Sequence, residues 1–236
     1  MTPARLAMAL AALLLTAVPV RAGNEVALYL GVSATPKSDL HVTGAGDDVT
    51  YHGVSWHARS FENPLYYGIR LTHWRAGDPD TGLALDFTHA KIYLKDTAVR
   101  VTGSRGGTSV DAVEPTSASI TSFSNSHGLN LLTLNALVRG DGRIRPYAGV
   151  GAGIALPHVE AEIGGTRVSE YQYGGPAVQG LLGVSAYFGD RFGDRWGVFG
   201  EAKLDRAWLH VDLHGGRSAD LNVNVQQLVG GVSRGF

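Results

Sequence analysis

Nine histidines stand in this chain of 236 residues, together with 21 acidic side chains. Imidazole is the side chain whose charge changes near neutral pH and the commonest metal ligand. The histidines that could do chemistry together are His89, His127 and His158, with Asp86 and Glu160 as carboxylate support. Such a set can hold a hard or borderline divalent cation, with His89, His127 and His158 as the metal ligands. It can equally place a base beside a hydroxyl. Tyr67, Arg70 and Lys91 are further candidates for contact with a substrate. Two local runs carry most of these groups, Leu85-Asp-Phe-Thr-His-Ala-Lys-Ile-Tyr93 and Phe123-Ser-Asn-Ser-His-Gly-Leu-Asn-Leu-Leu-Thr-Leu-Asn135. In the first, strict alternation points Asp86 inward and His89 outward, unless a bulge or a place above the membrane changes its surroundings. In the second, a serine beside a histidine suggests a nucleophile. Neighbours on a strand point to opposite faces, however, so Ser126 and His127 are not expected to pair.

The elements that must position these groups are strands. Eight alternating segments are expected: Glu25–Ala34, Leu65–Trp74, Leu83–Leu94, His127–Arg139, Arg145–His158, Pro176–Phe188, Trp196–His210 and Leu221–Phe236. In the seventh, Trp196, Val198, Ala202 and Leu204 share one parity, whereas Glu201, Lys203 and Asp205 share the other. The connections alternate in length. Arg75–Gly82, Gly140–Arg143 and Gly189–Arg195 are short and rich in Gly and Asp, as tight turns are. Those at 35–64, 95–126, 159–175 and 211–220 are longer, and Thr50–Phe61 reads as a β-extension of the first of them.

Long loops on one side, short turns on the other and an alternating apolar face are the marks of an outer-membrane barrel. The glycine-rich last segment ending in Phe236 would run from outside to periplasm. The expected fold is therefore all-β, an eight-stranded antiparallel transmembrane β-barrel integral to the outer membrane. That orientation places every histidine except His73 in the outward half. A barrel this narrow is filled by side chains, so a conducting pore is not expected. Arg70, Asp86, Arg145, Glu201, Lys203 and Asp205 are its candidate lumen charges, expected to neutralise one another.

Composition narrows the function classes. Residues 1–22 read as a signal peptide, with Arg5 before an apolar run and Val20-Arg21-Ala22 as the cleavage site. Residues 23–236 then form one barrel domain. The absence of cysteine removes disulfides, thiolate metal sites and an acylated lipoprotein anchor. A net charge of −1 gives no basic field for nucleic acid. No flavin, haem or nucleotide motif is present, and Gly103-Ser-Arg-Gly-Gly107 is a loop tip with no helix after it. Arg100, Arg105, Lys95 and Arg167 in the outer loops could contact anionic sugar phosphates.

Several blocks resemble one family. They are Glu62-Asn-Pro-Leu-Tyr-Tyr-Gly-Ile-Arg70, Asp86-Phe-Thr-His-Ala-Lys-Ile-Tyr93, Ser126-His-Gly-Leu-Asn-Leu-Leu-Thr-Leu-Asn135, the run from Arg145 to Val159, Gly175-Pro-Ala-Val-Gln179 and Val198-Phe-Gly-Glu-Ala-Lys203. Together they are similar to the outer-membrane lipid A oxidases of rhizobia and related bacteria. The resemblance implies oxygen-dependent oxidation of the proximal glucosamine of lipid A to 2-aminogluconate, with hydrogen peroxide released. Molecular oxygen would be the co-substrate, and a divalent metal would provide the electron route. It implies lipopolysaccharide as the partner, while the barrel fold leads us to expect the barrel-assembly machinery during biogenesis and a monomer. It brings no catalytic residue set, so the site residues rest on the chemistry above. Two other readings stay open: a non-catalytic barrel serving adhesion or structure, and a lipid A acyl hydrolase using Ser and His.

Overall fold

The computed structural model describes residues 23–188 and 195–236. The expected signal peptide and most of the Gly189–Arg195 turn lie outside them. In chain order the first strands are β1 (Asn24–Ala34), β2 (Ser38–Gly44), β3 (Asp47–Val54), β4 (Trp56–His57), β5 (Tyr67–Arg75) and β6 (Asp78–His89). There follow β7 (Tyr93–Leu94), β8 (Ala98–Arg105), β9 (Thr108–Pro115), β10 (Ile120–Ser124), β11 (Leu131–Arg139) and β12 (Ile144–Ala155). The last are β13 (His158–Ile163), β14 (Thr166–Tyr171), β15 (Gly175–Phe188), β16 (Arg195–His214) and β17 (Arg217–Gly235).

Strands β1, β5, β6, β11, β12, β15, β16 and β17 hydrogen-bond in that order, and β17 returns to β1. The result is a closed ring of eight antiparallel strands. Alternation decides its two faces. Outward stand Leu83, Leu134, Val150, Leu182, Leu204 and Leu228, all exposed. Inward stand Arg70, Asp86, Asn135, Gln179, Glu201 and Lys203, all buried. This is the reverse of a water-soluble protein and leaves an apolar belt around the wall. Aromatics mark its margins: Phe188 and Trp196 near the chain ends, Trp208, Tyr171 and Tyr173 near the opposite rim. No helix among the described residues is long and apolar enough to cross a membrane.

The interior is polar below and apolar above. Arg70 bridges Asp86 (2.8 Å) and Glu201 (2.6 Å), and Lys203 reaches Asp86 at 3.1 Å. The Tyr29 hydroxyl donates to Asp86 at 2.5 Å and takes a hydrogen bond from Lys203 at 2.8 Å. Asp205 accepts from Gln179 (2.7 Å) and from Gln227. Arg145 departs from the lumen set. It lies at the turn end, where its Nε donates to the Gly142 carbonyl at 2.8 Å. Above the charges, Tyr66, Leu129, Leu131, Val159, Leu209 and Val225 belong to one continuous buried apolar cluster.

That cluster exists because the expected long loops are largely strands. Beyond the ring, β17 exchanges its partner β1 for β2, and β2, β3, β8 and β9 continue the sheet. The β-extension expected at Thr50–Phe61 is β3 and β4, with β3 beginning earlier, at Asp47. The connection expected over 211–220 is no loop: β16 and β17 run on to a two-residue turn at Gly215 and Gly216, both at positive φ. A second sheet, in the order β14-β13-β10-β7-β4, covers the other side of the cluster.

Three expected boundaries move where the chain leaves the ring. The strand expected over Leu83–Leu94 begins at Asp78 and stops at His89, and residues 90–92 pass buried outside any strand, held by backbone hydrogen bonds from 125 and 129. The strand expected from His127 starts at Leu131, because Gly128 and Asn130 take positive φ values of 107° and 44°. The strand expected to reach His158 ends at Ala155, and after Leu156 and Pro157 the chain restarts as β13. Each break falls beside a candidate functional residue.

Candidate functional site

Segment 125–130 is the clasp of the site. It is held on one side by Asn125 N donating to the Ile92 carbonyl (2.9 Å) and Leu129 N to the Ala90 carbonyl (2.7 Å). On the other side, His158 N donates to the Gly128 carbonyl (2.9 Å) and Leu156 N to the Asn130 carbonyl (2.8 Å). His127 is thereby set beside His158, with ring centroids 4.8 Å apart and nearly edge to face. Strand β13 carries His158 and Glu160 on one face, while Val159, Ala161 and Ile163 of the other face enter the core.

His127, His158 and Glu160 therefore converge. Their potential ligand atoms lie within 4.8 Å of one another. His127 Nδ1 is 3.0 Å and His158 Nδ1 3.4 Å from Glu160 Oε1. The Ser126 hydroxyl donates to Glu160 Oε2 at 2.6 Å and stands 2.9 Å from His127 Nδ1. The expectation that Ser126 and His127 would not pair fails here, because residues 126–127 form a turn and strand alternation does not apply. Tyr171 closes one flank, its ring 4.6 Å from that of His158. Sequence reasoning missed Tyr171 because the hairpin of β13 and β14 was read as a loop; His158 and Tyr171 are cross-strand partners in it.

Burial pushes the His158 imidazole below its ordinary range, and the neighbouring His127 adds to this against the pull of Glu160. Burial raises the Glu160 carboxyl, but the hydrogen bonds of Ser126 and His127 and the adjacent imidazoles outweigh it, leaving the group below the usual carboxylate range. His158 is thus favoured as a neutral donor and Glu160 as an anion. The residues fit a divalent cation by another observation as well. His158 Nδ1 is buried and makes no hydrogen bond, a ring nitrogen without a partner 3.4 Å from a carboxylate oxygen. Two imidazoles and one carboxylate with open positions are the ligand set of non-haem iron oxygenases.

His89 lies beside this cluster but not in it. Its ring stacks on Tyr67, centroids 4.9 Å apart, and its Nδ1 is 2.8 Å from Asn130 Oδ1. The Asn130 amide nitrogen faces the carbonyls of His127, Gly128 and Leu156 at 3.2–3.4 Å, which fixes the amide's orientation. His89 must then donate from Nδ1, leaving Nε2 as a buried lone pair without a partner. A Cβ at Gly128 would lie 2.4 Å from His89 Nδ1 and 2.2 Å from Asn130 Oδ1, so only glycine admits the pair. The clasp, not a bulge, is what buries a histidine of outward parity.

The remaining candidates separate. Lys91 donates to the Glu62 carbonyl at 2.7 Å, near Tyr93 of the second sheet. Asp86 and Arg70 belong to the interior charge network and are not among the groups that converge with the histidines. The cluster stands on the face of β13 opposite the core, with His158 level with Tyr171 and Glu160 one step farther from the ring, opposite Ser169.

No protein-family model matches the chain, and no curated protein matches it. Among solved structures, the chain is similar to the solid-state NMR structure of the outer membrane protein AlkL in DMPC lipid bilayers. Identity is 15% and the TM-score 0.42, over 94% of this chain and 93% of that one.

Proposed function

We propose that this chain is an eight-stranded transmembrane barrel of the outer membrane and that it oxidises the proximal glucosamine of lipid A, using molecular oxygen. One observation carries the reading. Two imidazoles and a carboxylate converge on the face of β13 opposite the core, beyond the exposed apolar residues of the ring. A lipid can reach such a site by lateral movement without its acyl chains leaving the membrane. The resemblance of the Phe-Thr-His-x-Lys and Ser-His-Gly-x-Asn blocks to lipid A oxidases supports the same substrate.

His127, His158 and Glu160 would hold the divalent ion. Bound there, such an ion supplies the route for electrons to oxygen that no side chain of the site possesses. Ser126 holds the second Glu160 oxygen and so keeps the carboxylate turned toward the imidazoles. His89 supplies an unprotonated Nε2 as a proton acceptor, with its tautomer fixed from behind by Asn130. Tyr67 and Tyr171 offer aromatic faces to a sugar ring.

A second reading has its own observation. Ser126, His127 and Glu160 are in mutual hydrogen-bond range, which suits acyl hydrolysis by a serine nucleophile. Both Ser126 and Glu160 meet the same imidazole nitrogen, however, whereas a relay needs them on opposite nitrogens.

Mass spectrometry of lipid A after incubation with purified protein tests both. Oxidation adds about 16 mass units to the proximal sugar, the mass of one oxygen, in agreement with the reaction that the resemblance implies. Loss of an acyl chain would instead mark the hydrolase. Ser126→Ala should lower oxidation less than about tenfold, whereas a nucleophile's loss costs on the order of 10⁴-fold or more. If lipid A from several backgrounds is unchanged, the enzymatic reading fails and the non-catalytic barrel stands.

A further inference from the structure

Beside the cluster two cations flank the second sheet, Arg59 just after β4 and Lys91 just before β7. Ser169, Glu160, Ser124, Tyr93 and His57 form one cross-strand row, each opposite the next. Opposed residues share a face, so Tyr93 stands on the same side of this sheet as Glu160, two strands away. The Arg59 guanidinium lies over the Tyr93 ring, 4.3 Å from its centroid, and the Lys91 ammonium is 5.9 Å from the same centroid.

These cations are poorly compensated. Lys91 is 2% exposed, and among the described residues it makes one hydrogen bond, to a carbonyl, and no ion pair. An ammonium has three donors, and a buried charge without a counter-ion is costly. Burial accordingly pulls the Lys91 ammonium below its ordinary range, with Glu62 opposing. Arg59 holds left-handed backbone at φ 47°, and its side chain meets Glu62 only at 3.4 Å. A guanidinium has five donors in a fork that matches an oxyanion. Two adjacent positive groups, Lys91 buried with donors unused and Arg59 exposed beside it, repel each other where they stand.

We propose that Arg59 and Lys91, at Tyr93, form an oxyanion subsite next to His127, His158 and Glu160, and that it takes an anionic substituent of the lipid headgroup, a phosphate monoester or a sugar carboxylate. This rests on the reading of the cluster as a headgroup-modifying site, which it deepens by naming what positions the sugar. An anion at Arg59 and Lys91 would fix which ring of a sugar headgroup faces the histidines. Glu62 acts as a weak internal competitor, since it is the carboxylate nearest both cations.

The test is equilibrium binding to full-chain protein in zwitterionic micelles. The probes are three synthetic glucosamine-disaccharide lipids, one neutral, one with a single phosphate and one with a uronic acid, with inorganic phosphate as competitor. At least one anionic lipid should bind tenfold or more tightly than the neutral one, and the stronger of the two names the substituent. Arg59→Gln with Lys91→Met should abolish the preference while heat-modifiable electrophoretic mobility shows the ring intact. Arg59→Gln alone, in an exposed position, should reduce it, and Glu62→Gln should increase it. The preference should survive His127→Ala with His158→Ala, so loss of oxidation chemistry and loss of the subsite are read separately. Equal affinity for the three lipids, or a preference that persists in the double variant, overturns the proposal. Inorganic phosphate that binds with no lipid preference assigns a free-anion site and overturns it too.

Discussion

At the scale of the residue, the site depends on a glycine that touches no substrate. Gly128 leaves room for the His89–Asn130 hydrogen bond and turns the chain so that His127 meets His158. Gly128→Ala should cost about 2–4 kcal/mol, a steric clash added to unfavourable φ. Urea unfolding in micelles measures it, and a loss under about 1 kcal/mol would show that the clasp yields easily. His158 gives a prediction about acid. Its folded form binds a proton less readily than the unfolded chain, so stability should decline as pH drops below about 6.5, the ordinary imidazole value. Glu160, held low, keeps its contribution above the ordinary carboxylate range and loses it as the pH falls through that range to its lowered folded value. His158→Gln should flatten the fall in melting temperature between pH 7.5 and 5.5, and an unaltered slope would remove His158 as its cause. The residue types of the site were legible, since His127, His158 and Glu160 stood out by chemistry alone. The Ser126–His127 contact was not, because a strand period says nothing about a turn, and only the positive φ of Gly128 and Asn130 creates one.

Elements show a similar division. Strands with one apolar parity, such as β15 and β16, were readable almost to the residue at their lower ends. Above the ring the same alternation continues, but the apolar side faces a core between two sheets instead of the outside of the ring. Period two is identical in both cases, so sequence could not tell where β16 leaves the membrane wall or that 211–220 stays paired. The belt itself is testable. Leu182 is 64% exposed on the outer wall of β15, and Leu182→Arg should destabilise the folded state in bilayers by about 2–4 kcal/mol if it lies near the midplane. Exposed Val113, on β9 of the extension, should accept Arg with little change. Equal effects at the two positions would place both in water. Refolding into phosphatidylcholine vesicles separates the cases.

Considered whole, the molecule is a wall with a filled interior. Arg70 sits between Asp86 and Glu201, and Lys203 ties Asp86 to Tyr29, so charges from three strands and the Tyr29 hydroxyl of a fourth close the ring at mid-height. The apolar cluster closes it again above. The protein should show no stepwise conductance in planar bilayers, and a stable pore would contradict the packing described. Arg70→Met should cost about 3–5 kcal/mol, because it leaves two buried carboxylates facing each other. Chemical denaturation followed by gel mobility reads that loss.

The wall has one join. Asn24 and Phe236 exchange backbone hydrogen bonds of 3.2 and 2.9 Å, the last rungs of the pairing between β1 and β17. β1 must therefore wait for β17, and until they meet each presents a bare strand edge. Closure across so great a sequence separation is slow. A partly threaded chain has nothing stable to rest in, so assembly should proceed as one late, cooperative event, and any factor that escorts this chain must shelter both edges until then.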